Sequence, residues 1–314
     1  VIATGEATDA FPCFGATCSV LVGGGGGADP RAAVAVAKSC LLAWHERFTR
    51  FDPASELSRL NADPRPTVAV SSLMARLAQA ATMAGERTGG LVDATLLTAL
   101  ESAGYAADLP TSVPLAEALR AAPRRRPAGT SPDPGWRKLA VDVARGTVRR
   151  PPGLALDSGG LAKGLFADVL AARLAPHRSF AVDCAGDLRV GGAAGVAREV
   201  QVTSPFDGRV VHAFALRDAG VATSGIGRRS WLGADGRPAH HLLDPATGRP
   251  AFTGVVQATA VAPTALEAEI RAKAAVLSGP ERGRQWLPGG GVLVLDDASL
   301  VVVEPPGAPA GTQR

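Results

Sequence analysis

From residue 13 to 22 the chain alternates apolar with small or polar positions, the period of a strand with one buried face. Glycines at 23–27 break that pattern and read as a flexible loop. Asp29-Pro30 then opens a helix, Asp as N-cap and Pro at the first helical position. Val34, Ala37, Leu41 and Trp44 fall at helical spacing and predict a helix to about Phe48. Ser71 or Ser72 caps a second long helix that ends near Arg87, before Gly89-Gly90. Residues 104–135 lose all periodicity, are rich in Pro, Ala and Arg, and read as a surface insertion with a short helical piece over 114–122. Beyond them the pattern shortens to strands. A hairpin pairs 136–143 with 147–150, a short strand covers 154–157, and glycines open a helix over 161–174. Strand, turn and strand over 179–190 and strands at 199–203 and 209–216 give an antiparallel run. After a strand at 255–262, Thr264 caps a helix to about Leu277, and a hairpin over 291–303 closes the pattern.

Composition narrows the function classes. The net charge of +4 is small and the arginines are dispersed apart from Arg124-Arg125-Arg126, so no nucleic-acid footprint is present, whereas an anionic small ligand is suited. Cys13, Cys18, Cys40 and Cys184 show no C-x-x-C spacing and read as buried thiols. No apolar run reaches transmembrane length. The first residues lack a charged segment followed by an apolar one, so no signal peptide is visible. The chain begins with Val, and both a cytoplasmic setting and an extracytoplasmic one after leader removal stay open.

The chemistry concentrates in residues 220–248 and 157–164. Thr223-Ser224-Gly225-Ile226-Gly227-Arg228-Arg229 sets small hydroxyls and glycines before two cations, a composition in which backbone N–H groups can converge on an anion. His241 precedes Asp244-Pro245-Ala246-Thr247-Gly248, where the Asp can cap a turn. Asp157-Ser158-Gly159-Gly160-Leu161-Ala162-Lys163-Gly164 reads as strand, glycines and helix start, a geometry that presents a helix N-terminus to an anion, with Lys163 adding a mobile charge. It has neither the Walker A spacing nor G-x-G-x-x-G. Each cluster by itself is also an ordinary turn. Glu269 and Lys273, at i and i+4, read as an exposed ion pair worth a few tenths of a kcal/mol.

Together, and in order, these pieces resemble the ApbE family of flavin transferases. Phe14-Gly15-Ala16-Thr17 is similar to its M-G-T strand, and Ser55-Glu56-Leu57-Ser58-Arg59-Leu60-Asn61 to S-E-L-S-x-L-N. Thr88 to Thr95 resembles T-x-G-x-F-D-P-T, and Asp157 to Gly164, followed by Asp168, resembles D-L-G-G-I-A-K-G. Ala185-Gly186-Asp187 is similar to G-G-D, Thr223-Ser224-Gly225 to T-S-G, and His241 to Gly248 to H-x-x-D-P-x-T-G.

The resemblance implies an α+β fold, a single large domain over 1–304 with a mixed or antiparallel sheet core flanked by helices; the Pro-, Gly- and Ala-rich composition of 305–314 reads as a disordered tail. It implies FAD as donor substrate and transfer of FMN to a Ser or Thr of an acceptor flavoprotein, releasing AMP. FAD binding without catalysis, and FAD hydrolysis to FMN and AMP, stay open beside it. A monomer or weak dimer is expected. The implied catalytic residues are His241 as base, Asp244 as its orienter or a metal ligand, and Lys163 on the phosphates. Ser55, Glu56 and Asn61 are expected to meet the adenosine end, and Thr223, Ser224 and Gly225 the flavin or diphosphate. Asp93, Asp157, Gly159, Gly160, Asp187 and Lys273 complete the expected nucleotide site. Mg²⁺ is implied at the diphosphate, held by Ala162, Glu269 and Asp244. Here the family's A-D-A-L-A-T is replaced by Ala268-Glu269-Ile270-Arg271-Ala272-Lys273. Glu keeps a carboxylate, but a protonated Lys cannot ligate a metal. The metal is therefore expected to be weakened or replaced by Lys273. Two lesser departures are Ala185 at a Gly position and Phe14 at a Met position.

Overall fold

A computed structural model describes residues 5–24, 29–107, 112–233 and 235–305. Its centre is an eight-stranded sheet of β1 (Glu6–Cys13), β2 (Ala16–Gly23), β3 (Ser179–Cys184), β4 (Asp187–Gly191), β5 (Ala219–Gly225), β6 (Val255–Ala262), β7 (Gly291–Leu295) and β8 (Leu300–Val303). The strands lie side by side in chain order, and every neighbouring pair is antiparallel. Cys18, Val20 and Val22 of β2 bury one face at period two. The helices are α1 (Pro30–Phe48), α2 (Glu56–Ala62), α3 (Ser72–Thr88), α4 (Leu97–Ser102), α5 (Leu115–Arg120), α6 (Ala162–Leu174) and α7 (Ala265–Gly283). α1 packs on β1 and β2, α6 on β3 and β4, and α7 on β5 and β6. α6 touches both α1 and α7, so the three form one layer over the sheet. One apolar core lies beneath α1, α3 and α6, and a second beneath α7.

The expected strand over 13–22 is a hairpin. Phe14 (φ 54°) and Gly15 (φ 71°) form a two-residue turn, and Cys13 faces Ala16 across it. Such turns need positive φ at both central residues, which Phe14 gives no hint of. Ala185 (φ 58°) and Gly186 (φ 98°) make the equivalent turn between β3 and β4. Because β1, β3 and β5 run in one direction, residues 14–15, 185–186 and 226–229 meet at one edge of the sheet.

Other expectations need correction. Residues 154–157 are not a strand: the Asn61 side-chain amide bonds both main-chain groups of Leu156, and Asp157 N donates to Ala94 O at 2.8 Å. The described part of 104–135 carries α5 where the short helical piece was expected, and the rest of it runs as a strap. Leu115 and Ala118 are buried, Arg126 N donates to Phe252 O at 3.0 Å, and Ala128 N to Leu277 O at 2.8 Å. α7 is broken at Gly279 (φ 76°), before Pro280. Its Glu269 and Lys273 are buried, not exposed, because the face they share turns toward α6. The expected tail falls, from residue 306 on, outside the described residues, as do 25–28 of the glycine loop. No helix among the described residues is long and apolar enough to cross a membrane.

Candidate active site

Over the edge where the two tight turns meet lies a cleft of about 470 Å³. Its floor is the start of α6. Gly159, Gly160, Leu161, Ala162 and Lys163 line it, so the positive end of the helix dipole faces the cavity. Lys273 comes in from α7 across that floor: a Cβ on Gly160 would lie 3.3 Å from Lys273 Cε. Opposite stand Arg229 and His241, from the segment between β5 and β6. Arg229 Nη2 donates to Phe14 O at 3.0 Å, which ties that segment to the β1–β2 turn.

Two lysines and two carboxylates form a buried cluster beneath the floor. Lys163 Nζ bonds Asp187 Oδ2 and lies 3.9 Å from Glu269 Oε1, and Lys273 Nζ lies 3.0 Å from the same oxygen. Glu269 Oε2 accepts from Gly164 N at 3.0 Å, so this α7 carboxylate caps α6. Asp168 of α6 answers by accepting from Ala265 N and Leu266 N at the start of α7. Burial works against charge on Glu269, but Lys273, Lys163 and the Gly164 N–H outweigh it and hold the carboxyl below its usual range. Burial also opposes charge on Lys163, and Asp187 with Glu269 overcomes it and raises the ammonium above its ordinary value. Asp187, pushed up by burial and by Glu269, reaches about 7 against the pull of the lysines.

His241 Nδ1 lies 3.4 Å from Arg229 O. A carbonyl only accepts, so Nδ1 carries the hydrogen and Nε2 is left with the basic lone pair. Burial, then Arg229, His240 and Lys273, hold its pKa well below the ordinary imidazole value, so the ring is neutral at pH 7.

The rim contains residues the sequence did not mark. The Arg50 guanidinium lies 4.3 Å from the Phe51 ring and 4.5 Å from the Tyr105 ring, which meet edge to face, and donates to Tyr105 O at 2.5 Å. Its Nε is 3.8 Å from Asp157 Oδ1, and its buried Nη1, which makes no hydrogen bond, pairs at 3.7 Å with Glu101 Oε1. The only signals available were the chain's single Tyr and an Arg beside a Phe. Asp93 accepts from Thr95 N and Oγ1 with one oxygen, leaves the other buried and unpartnered, and is raised in pKa by burial.

Of the expected site residues, Asp93, Asp157, Gly159, Gly160, Ala162, Lys163, His241 and Lys273 line the cleft. Glu269 and Asp187 lie behind the two lysines. The remaining ones are placed elsewhere. Ser55 caps α2, and Glu56 accepts from Ser71 N and Oγ and from Arg47. Asn61 is spent on Leu156, and Thr223 Oγ1 pairs with Thr259 Oγ1 at 2.8 Å on the sheet. Ser224 and Gly225 sit at the end of β5, outside the lining. Asp244 lies on the far side of its loop: Oδ1 accepts from Gly129 N at 2.9 Å and Ala246 N at 3.1 Å, and Oδ2 from Thr247 Oγ1. It is a turn and strap residue, not the orienter of His241.

The expected Mg²⁺ set does not fit these positions. Asp244 is absent from the cleft, and both Glu269 oxygens already accept from N–H groups. Ala162 is the first residue of α6, where the carbonyl accepts from the N–H four residues on. A divalent ion about 4 Å from the Lys273 ammonium would meet repulsion on the order of 8 kcal/mol at an effective dielectric of about 20. Among the described residues no group of three or more His, Cys, Asp or Glu is arranged to hold a metal.

The ApbE family profile matches residues 14–293 of the chain. An FAD:protein FMN transferase of Klebsiella pneumoniae is 30% identical over 253 residues, covering 76% of this chain and 69% of that protein. One from Escherichia coli is 27% identical, over 78% of this chain and 68% of its own. The crystal structure of an ApbE protein from Thermotoga maritima shares the fold, with a TM-score of 0.77 at 24% identity, covering 95% of this chain and 97% of that one.

Proposed function

The chain belongs to the ApbE family, and on that premise we propose that its cleft moves FMN from FAD onto a hydroxyl of an acceptor protein by phosphoryl transfer. The observation that supports this reading is the meeting of a neutral His241 with Lys163 and Lys273 over the start of α6 in one cleft. Phosphoryl transfer needs alignment and charge neutralisation, with no covalent enzyme intermediate.

The oxygen of an acceptor Ser or Thr forms a bond to the FMN-side phosphorus. The bond from that phosphorus to the bridging oxygen breaks, and AMP leaves with it. The hydroxyl proton passes to His241 Nε2, which the Nδ1 contact with Arg229 O keeps available. Lys163 and Lys273, with the N-terminal dipole of α6, offset the charge on the transferring group. Asp93 accepts a hydrogen bond from the bound nucleotide through its unpartnered oxygen, and the Arg50 guanidinium adds positive charge at the aromatic rim. No step in this scheme runs through a metal.

The test uses FAD and an acceptor domain carrying a Ser/Thr flavinylation motif, read by intact mass. Wild type is expected to add one FMN to the acceptor and release AMP. His241→Gln is expected to slow transfer by roughly 10²- to 10⁴-fold while binding FAD nearly as well as wild type. Full activity in that variant would remove His241 from the role of base. Free FMN with AMP, and no labelled acceptor, would reassign the cleft to hydrolysis.

A further inference from the structure

We propose that Lys273, and not a bound divalent metal, is the cation that receives the donor's diphosphate, so that this chain binds FAD and transfers FMN without metal. The inference rests on reading the cleft as an FMN-transferase site. Its first ground is position. Lys273 follows Glu269 by one turn of α7, and its Nζ sits 3.0 Å from Glu269 Oε1. The other oxygen, Oε2, caps α6 through Gly164 N. The carboxylate is thus occupied on both sides by protein donors.

The second ground is the path of the side chain. Its stem crosses Gly160 so closely that a Cβ there would stand 3.3 Å from Cε. Glycine at 160 keeps open the route by which the ammonium reaches the start of α6. Lys273 is 9% exposed, so what surface it has is offered to the cleft it lines. A lysine held this way is a preorganised point charge and a well-suited phosphate ligand.

The third ground is charge balance. Lys163, Lys273 and Arg229 line the cleft, and Asp187 and Glu269 stand behind the lysines. With Arg50 on one side and Asp93 and Asp157 on the other, which line the same cleft, four cations meet four carboxylates, so the lysines already neutralise the acids behind them and no excess of carboxylate charge calls for a divalent cation.

The experiment measures FAD binding by quenching of flavin fluorescence, on the full chain stripped with EDTA and then in excess MgCl₂. The expected Kd is the same in both within about twofold. A Kd at least about tenfold weaker in EDTA, recovered by Mg²⁺, would overturn the proposal. Lys273→Met and Lys273→Thr are each expected to weaken binding in EDTA by at least about tenfold, as loss of a charged hydrogen-bond donor does. Wild-type affinity in both variants would also overturn it. Lys273→Arg, which keeps the charge, serves as the variant that retains the buried ion pair. The wild-type arm needs no substitution and no acceptor. A chain that binds FAD equally with and without metal, but labels no acceptor, would sink the transferase reading and leave the assignment of Lys273 standing.

Discussion

The surroundings of His241 are hostile to its charged form. An ordinary imidazole, with a pKa of about 6.5, is roughly three-quarters protonated at pH 6. Burial and the cations around His241 shift it down, so it stays neutral there. Between about pH 6.5 and its depressed value only the unfolded chain takes up this proton, so the ring stays neutral in the fold and stability falls as the pH is lowered through that window. The imidazole NMR resonances of His241 are therefore expected to hold at their neutral positions from pH 7.5 to 6, and an imidazole titration near 6.5 would contradict it. His241 and Lys163 were legible in the sequence because each sits beside a glycine-marked turn. Asp244 was misread because the Pro245 turn carries it to the opposite side of the loop, a reversal that spacing along the chain does not reveal. Arg50 was invisible because one of its two aromatic partners, Tyr105, is distant in sequence and arrives only through the fold.

At the scale of elements, the site depends on how α6 and α7 hold each other. Asp168 caps α7, Glu269 caps α6, and the crossing is so close that a Cβ on Gly164 would lie 2.7 Å from Ala265 O. Asp168→Ala should destabilise the protein by about 1–2 kcal/mol, the worth of a helix cap, seen as a lower urea midpoint with unchanged slope. An unchanged midpoint would show that the interface does not need its caps. The helices themselves announced their ends: Asp29-Pro30, Ser71 and Gly89 all serve as expected. The hairpin turns did not, since Phe14 and Ala185 occupy a left-handed conformation that costs an L-residue about 1–2 kcal/mol. The burial of Glu269 and Lys273 was hidden for a similar reason. Sequence periodicity gives one helix a polar stripe, but only the neighbouring helix decides whether that stripe meets water or a partner.

Across the whole molecule, the strap ending at Gly129 buttresses the loop that carries His241, with Asp244 as the joint. Asp244→Ala should lose about 2–3 kcal/mol of stability through the N–H groups it leaves unsatisfied, and some transfer activity with it. Asp244→Asn keeps an acceptor oxygen and should retain most of both. Near-normal stability with lost transfer in Asp244→Asn would instead give the charge a part in the chemistry. The antiparallel character of the sheet was legible from its short alternating strands, but not the chain-order arrangement, which depends on pairings such as Ser19 with Asp183. That arrangement bears on how the protein is made. The first hairpin leaves the ribosome with the outer edge of β2 open, and β3 supplies its neighbour only after residues 24–178 have been synthesised. The cleft draws on residues from Phe14 to Leu277. A nascent chain thus has no complete cleft until Leu277 has been synthesised, and a flavin nucleotide can be captured there only after more than 260 residues, counted from Phe14, have been brought together.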